Sequence, residues 1–299
     1  VSRQFTIRSG PAYAEIDERA GALRVLRHGA RELVTSWAPG GPIPYYSGTL
    51  LAPWPNRIGG ARYTYRGELH SLPVNEEDLG NALHGLVAEG PWEAVEWLQV
   101  EDEQGFVRLT HTIAPRPGYP YTLALQALYT LTPEGLTTTL TAENVGDRVA
   151  PYGCGPHPWL LAGDGPVDPW ELEVPADRVL LVDQALLPRS LEDVAGTPYD
   201  FRVARPVGAT AVDHAFTAIT PGRTGSAAVR LRGPAGGVEM RWDPAVLPWV
   251  QVCTGTGLGH AGIAVEPMTC PPDAFNSGTD LVELHPGDKH EASWTISAF

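Results

Sequence analysis

Basic residues are scarce in this chain. Of 299 residues, 21 are Lys or Arg and 35 are Asp or Glu, a formal charge of -14. A surface of that sign repels polyanions, which argues against nucleic acid and against an anionic membrane as partner. It favours a neutral or cationic ligand. Cysteine is scarce too. Cys154, Cys253 and Cys270 form no C-x-x-C pair, and an odd count without a framework reads as free thiols in a reducing compartment. No apolar run reaches the length needed to span a bilayer. The first residues, Val1 to Arg8, lack a charged head followed by an apolar core, so no signal peptide is read there. The expected location is the cytoplasm.

Several catalytic signatures are missing as well. No G-x-S-x-G elbow marks a serine hydrolase. The glycines of Gly255-Thr256-Gly257-Leu258-Gly259 have neither the lysine nor the strand-to-helix setting of a phosphate loop. A zinc site drawn from His84, His157, His214 and a carboxylate has no H-x-H or H-E-x-x-H pair behind it, so no metal is expected. Helical periodicity is nearly absent; only residues 186–194 offer a turn or two. No repeat, low-complexity segment or linker interrupts the chain.

What is present is strand and turn. Gly (33) and Pro (29) are abundant but dispersed, so they mark turns and not disorder. Short runs at 5–7, 12–16, 22–26 and 32–34 read as strands, and 106–113 alternates cleanly. Residues 121–131 and 136–144 flank Thr132-Pro133-Glu134-Gly135, a hairpin signal; 227–231 and 238–242 flank a second one. A last strand is expected at 293–297. The pattern predicts an all-β fold, a large antiparallel β-sandwich, with residues 1–299 forming one domain.

The most telling polar residue is Glu266, at the end of the apolar run Gly262-Ile263-Ala264-Val265 and directly before Pro267. Such a run bounded by turn signals reads as buried strand, and Pro267 is expected to end or edge it. A carboxylate there is paired or functional, because a bare buried charge is costly. In an apolar cleft its pKa rises, which suits a general base working near neutrality.

Four further clusters stand at loops or strand ends. Leu51-Ala52-Pro53-Trp54-Pro55-Asn56-Arg57-Ile58-Gly59-Gly60 stiffens the backbone around Asn56 and Arg57; Arg57 is a donor fork for an oxygen-rich ligand or a plain surface arginine. His84 follows an apolar pair and, on local grounds, reads as structural. The acidic run Glu76-Glu77-Asp78 reads as a solvated loop. His157 lies between Pro156 and Pro158, stiff enough to aim its ring or simply to make a turn. Asp213 and His214, if in a strand, point to opposite faces; locally they read as a capped turn.

Together these clusters resemble the aldose 1-epimerase (galactose mutarotase) family, from about Tyr46 to about Gly287. The carriers are Pro55-Asn56-Arg57-Ile58, then Asn81-Ala82-Leu83-His84-Gly85 with Trp92 behind it, then Tyr152-Gly153-x-Gly155-x-His157-Pro158-Trp159. Asp213-His214 follows, then Val265-Glu266-Pro267 with Pro272-Asp273-Ala274-Phe275-Asn276, all in the family's order. Gly196-Thr197-Pro198-Tyr199-Asp200-Phe201 fits the region before the family's aspartate.

The resemblance implies a large β-sandwich with an open sugar site, and no metal or organic cofactor. It implies Glu266 as general base and His157 as general acid. Arg57, His84 and Asp213, with Asn56, would bind the hydroxyls of a small sugar, an aldohexose. Trp54, Trp159 or Trp249 would cover its apolar face. Pro158-Trp159-Leu160 after the histidine, and the segment around Thr269 and Cys270, depart from the family's commoner forms and leave the preferred hexose open. Two other readings stand beside the mutarotase: a non-catalytic sugar-binding protein on the same scaffold, and an epimerase of a phosphorylated or sulfonated hexose. The sequence is compatible with a monomer or a homodimer.

Overall fold

In the computed structural model, residues 2–234, 236–256, 259 and 261–299 are described. Val1, Gly257 and Leu258, on which two of the sequence readings partly rest, lie outside the described residues, as does Ala235 in the second hairpin loop.

Among the described residues, nine strands form the largest sheet. Their order is Glu93–Val100, Gln104–Ile113, Leu123–Thr132, Gly135–Asn144, Lys289–Ala298, Gly236–Trp242, Ala227–Gly233, Glu171–Glu173 and Arg205–Pro206. A six-stranded sheet runs Trp159–Leu160, Ile263–Met268, Trp249–Cys253, Asp213–Ile219, Ala176–Val182 and Pro188–Asp193. A four-stranded sheet of Gln4–Ser9, Ala12–Asp17, Ala22–His28 and Arg31–Glu32 lies against the large one. All pairings within these three sheets are antiparallel.

The period of two decides which face is buried. Along Leu123–Thr132 every second residue is buried, and Gly135–Asn144 repeats the pattern in register with it. The outward face carries hydroxyls that pair across strands: Thr137 with Thr295 at 2.8 Å and Thr139 with Ser293 at 2.7 Å. The inward face joins a continuous apolar core shared by the three sheets, including Ile7, Leu26, Tyr129, Leu140, Phe216 and Val250. This is the large antiparallel β-sandwich that the sequence predicts. The Thr132–Gly135 hairpin closes on Pro133-Glu134, and Gly135 is required there: at φ 124 its added Cβ would meet the Ile296 carbonyl at 2.5 Å.

Two local expectations are corrected, and a third is decided between its alternatives. Residues 186–194 are not helical; Pro188–Asp193 is the edge strand of the six-stranded sheet, and a proline at the first position of an edge strand gives up no ladder bond. Asp213 and His214 open a strand and do not cap a turn. Of the two readings of Pro267, a strand end or an edge, the edge holds: the strand continues to Met268 with Pro267 opposite Val250. The proline is tolerated because the neighbour on the other flank, Trp159–Leu160, pairs only with Ala264 and Ile263. A fourth strand is shorter than expected: Arg31–Glu32 pairs with the 22–28 strand, while Val34 makes an isolated bridge to Leu160. Among the described residues, no helix is long and apolar enough to cross a membrane, and Cys154, Cys253 and Cys270 are free.

Candidate active site

The six-stranded sheet presents a polar row on one face. Gln251 stands opposite Glu266, and Asp213 opposite Cys253, so the side chains of Asp213, Gln251, Cys253 and Glu266 share that face across three adjacent strands. Alternation sends His214 to the other face, where its ring lies 4.7 Å from that of Tyr199. The two-residue period allows only one of the pair to face the pocket, and the strand pairing makes it Asp213.

The opposing wall is built from loops tied together by two-residue ladders. Leu50–Leu51 pairs with Gly155–Pro156, and Arg57–Ile58 pairs with Ala82–Leu83. His157 is pinned by its own backbone, donating to Thr49 O at 3.0 Å and accepting from Gly48 at 2.8 Å. His84 donates its backbone N–H to Asn56 O at 2.8 Å. Gly85 lets the chain pass: at φ 77, a Cβ there would sit 2.1 Å from the Ala52 carbonyl oxygen. Asp273, from the Pro272–Asn276 motif, braces the Arg57 loop by donating to Arg57 O at 2.7 Å and accepting from Gly59 N at 2.8 Å.

These walls enclose a pocket of about 330 Å³. Every predicted site residue lines it: Asn56, Arg57, His84, His157, Asp213 and Glu266. Nε2 of His157 lies 3.4 Å from Oε1 of Glu266, and both side chains are buried. No described residue donates to Glu266 Oε2, which leaves it as an acceptor. Burial pushes the Glu266 carboxyl well above the usual carboxylate range; Asp213 adds to the rise and Arg57 opposes it. The His84 ring stands at 89° to that of His157, centroids 4.9 Å apart, and the Tyr46 ring lies 4.6 Å from His84 and 6.2 Å from His157. Burial, followed by the charges of His157 and Arg57, holds His84 well below the ordinary histidine range, so it remains neutral. Asp213 accepts from Gln251 Nε2 at 2.7 Å.

Among the tryptophans, Trp159 is the one that lines the pocket, although its ring is almost wholly buried. It donates to Tyr45 O at 3.1 Å and lies 6.0 Å from the His157 ring. Trp54 packs on Tyr119 and Phe275, and Trp249 donates to Asp280 at 2.7 Å. Among the described residues, no three His, Cys, Asp or Glu side chains converge closely enough to hold a metal ion.

Some pocket residues are not singled out by the sequence. Glu76 belongs to an acidic run that reads as solvated; Glu77 and Asp78 are indeed exposed, but Glu76 turns inward onto Arg57. Gln251 carries a legible signal, a lone amide in the apolar run Trp249-Val250-Gln251-Val252. Tyr45, Tyr46 and Cys253 carry none. Burial pushes the Cys253 thiol up to about 12, with Asp213 and Glu266 adding to the rise.

Comparison with known proteins gives the same direction throughout. The family model described as Aldose 1-epimerase matches residues 29–297. An uncharacterized Escherichia coli protein, YihR, is 37% identical over 250 residues, covering 83% of this chain and 78% of its own length. The galactose mutarotase of Mus musculus is 26% identical over 83% of this chain and 77% of its own length. Among solved structures, a GalM/aldose epimerase homologue from C. elegans superposes with a TM-score of 0.83 at 20% identity, covering 100% of this chain and 99% of its own. The galactose 1-epimerase of Lactobacillus acidophilus gives 0.81 at 21% identity, covering 97% and 92%. With the family model spanning nearly the whole sequence, the chain belongs to the aldose 1-epimerase family, a family of isomerases.

Proposed function

We propose that this protein interconverts the α and β anomers of a free aldohexose, with Glu266 as general base and His157 as general acid. The observation that carries the reading is the 3.4 Å approach of these two buried side chains on the wall of one sugar-sized pocket. Glu266 removes the proton of the anomeric hydroxyl, and His157 delivers a proton to the ring oxygen. The bond from C1 to the ring oxygen breaks as the C1 carbonyl forms. After rotation about C1–C2 the steps reverse, the proton returning from the ring hydroxyl to His157 and from Glu266 to the new anomeric oxygen. Each proton transfer contributes roughly 10²–10⁴-fold.

Both groups exchange roles on the return, so neither can be locked in one protonation state. The environment of Glu266 suits that requirement: burial and Asp213 favour the acid form, while Arg57 favours the carboxylate. Neutral His84 does not compete as a proton donor of the acid type; it serves as a hydrogen-bonding partner for a hydroxyl. Arg57, Asp213 and Asn56 hold hydroxyls remote from C1, and Trp159 covers part of the sugar face. We further read residues 1–299 as one folding unit, on the core common to its three sheets, and place the protein in the cytoplasm, on its free thiols.

The direct test is the decay of optical rotation of freshly dissolved α-aldohexoses with and without the protein. Rates equal to the spontaneous ones for every hexose, together with measurable sugar binding, select the non-catalytic sugar-binding reading instead.

A further inference from the structure

The guanidinium of Arg57 is already engaged. Its Nη2 donates to Glu76 Oε1 at 2.8 Å, and its Nε donates to Oε1 at 3.1 Å and to Oε2 at 3.0 Å. The two side chains are largely buried, at 11% and 15% exposure. This is a two-toothed pair, the geometry that fixes a guanidinium plane as well as its charge. Glu76 is itself held, accepting from Asn81 Nδ2 at 2.8 Å, and Asn81 also donates to Ala185 O at 3.1 Å. The remaining arm, Nη1, contacts Asn56 Oδ1 at 3.3 Å, a weaker bond that a ligand can replace.

The charge consequence is as definite as the geometry. Histidines aside, Arg57 is the single basic side chain among the described residues lining the pocket, whereas Glu76, Asp213 and Glu266 are acidic. Paired to Glu76, Arg57 offers no surplus positive charge to a phosphate or sulfonate, and Asp213 adds a formal negative one. Recognition of such anions calls for free arginines or lysines, and a like charge brought into the site is repelled.

We propose that Glu76 is a positioning and specificity-determining residue. It fixes two arms of Arg57 so that the third meets a sugar hydroxyl, and it neutralises Arg57 so that the pocket selects uncharged hexoses over anionic ones. The inference rests on the reading of this pocket as an aldohexose site, and it deepens that reading by naming the substrate class.

The test compares wild type, Glu76→Gln and Glu76→Asp by calorimetric binding of a neutral hexose and its 6-phosphate, and by anomer exchange of the same pair. Wild type is expected to bind the neutral hexose at least about tenfold more tightly. In Glu76→Gln that ratio falls about tenfold, while KM for the neutral hexose rises more than kcat falls. Glu76→Asp, which keeps the charge and shortens the reach, retains the ratio and raises KM. Melting temperatures verify that each variant is folded. An unchanged ratio in folded Glu76→Gln, or wild type that favours the phosphate or binds neither sugar, overturns the inference. Wild type that discriminates in binding but exchanges no anomers overturns the catalytic reading and leaves this one standing.

Discussion

Replacing Glu266 by Gln should separate catalysis from stability in one experiment. The substitution keeps shape and removes one proton-accepting charge from a site that is 2% exposed. Loss of a general base lowers the rate by about 10²–10⁴-fold, or about 3–5 kcal/mol at about 1.4 kcal/mol per tenfold. Stability should move the other way. The carboxyl is held well above its ordinary value of 4.5. Below that value both folded and unfolded chains carry the proton, and Glu and Gln behave alike. As pH rises above it, the unfolded chain ionises first, and the wild type loses about 1.4 kcal/mol per pH unit until the folded carboxyl also ionises. Gln does not titrate. The contribution of His84, whose lowered value acts in the opposite direction, is common to both proteins and cancels in the difference. Urea unfolding at intervals from pH 4 to pH 8 should therefore show Glu266→Gln gaining on the wild type as pH rises, while anomer exchange by NMR collapses. Near-normal exchange removes Glu266 from the mechanism. A stability difference that shrinks with rising pH refutes the electrostatic account.

Asp213 raises Glu266 and Arg57 lowers it, so Asp213→Asn should shift the acid limb of the kcat/KM profile to lower pH and Arg57→Met should shift it to higher pH; equal shifts in one direction would contradict this. Gly85→Ala places a Cβ 2.1 Å from the Ala52 carbonyl oxygen at φ 77, and should cost about 2–4 kcal/mol in chemical denaturation; a variant within experimental error of wild type would show that the two loops yield. With its thiol pushed up to about 12, half-buried Cys253 should alkylate at pH 8 about a thousandfold more slowly than an ordinary exposed thiol, and rapid labelling of that residue in the folded protein would refute the raised value.

The sequence makes the fold legible where local signals agree with each other. The hairpin over 121–144 has alternating residues, a Pro-Glu-Gly turn and adjacent partners, and it forms with its strands at Leu123–Thr132 and Gly135–Asn144. Signals fail where the deciding partner is remote. Whether Glu76 faces water or Arg57 depends on a ladder joining residues 57–58 to 82–83, and nothing in Glu76-Glu77-Asp78 records that ladder. Pro267 reads as a strand end or an edge, and what decides between them, the short neighbour at Trp159–Leu160, lies more than a hundred residues away. Residues 186–194 have enough apolar residues for a helical turn, but an edge position in a sheet claims them. Asp213 is legible in a narrower sense: the two-residue period states that only one of Asp213 and His214 faces the cleft, and pairing with Trp249–Cys253 settles which.

The backbone itself marks the same pocket independently of any side-chain chemistry. Among the described residues, twelve other than glycine have positive φ, and five of these, Tyr45, Tyr46, Asn56, His84 and Leu186, line this one cavity. A left-handed conformation costs a side-chain-bearing residue on the order of 1–3 kcal/mol, less for Asn. A loop optimised for stability alone would place glycine at such positions. At Asn56 the side chain gives a local return, since its Oδ1 accepts from the Arg57 backbone at 2.9 Å and touches the guanidinium at 3.3 Å. At His84 and Tyr46 the described residues offer no such local compensation; the gain is that two rings meet edge to face beside His157. Four of the five, all but Leu186, stand on the wall that faces the Glu266 sheet, and their strain is therefore a feature of ring and guanidinium placement that the packing of the sandwich does not require.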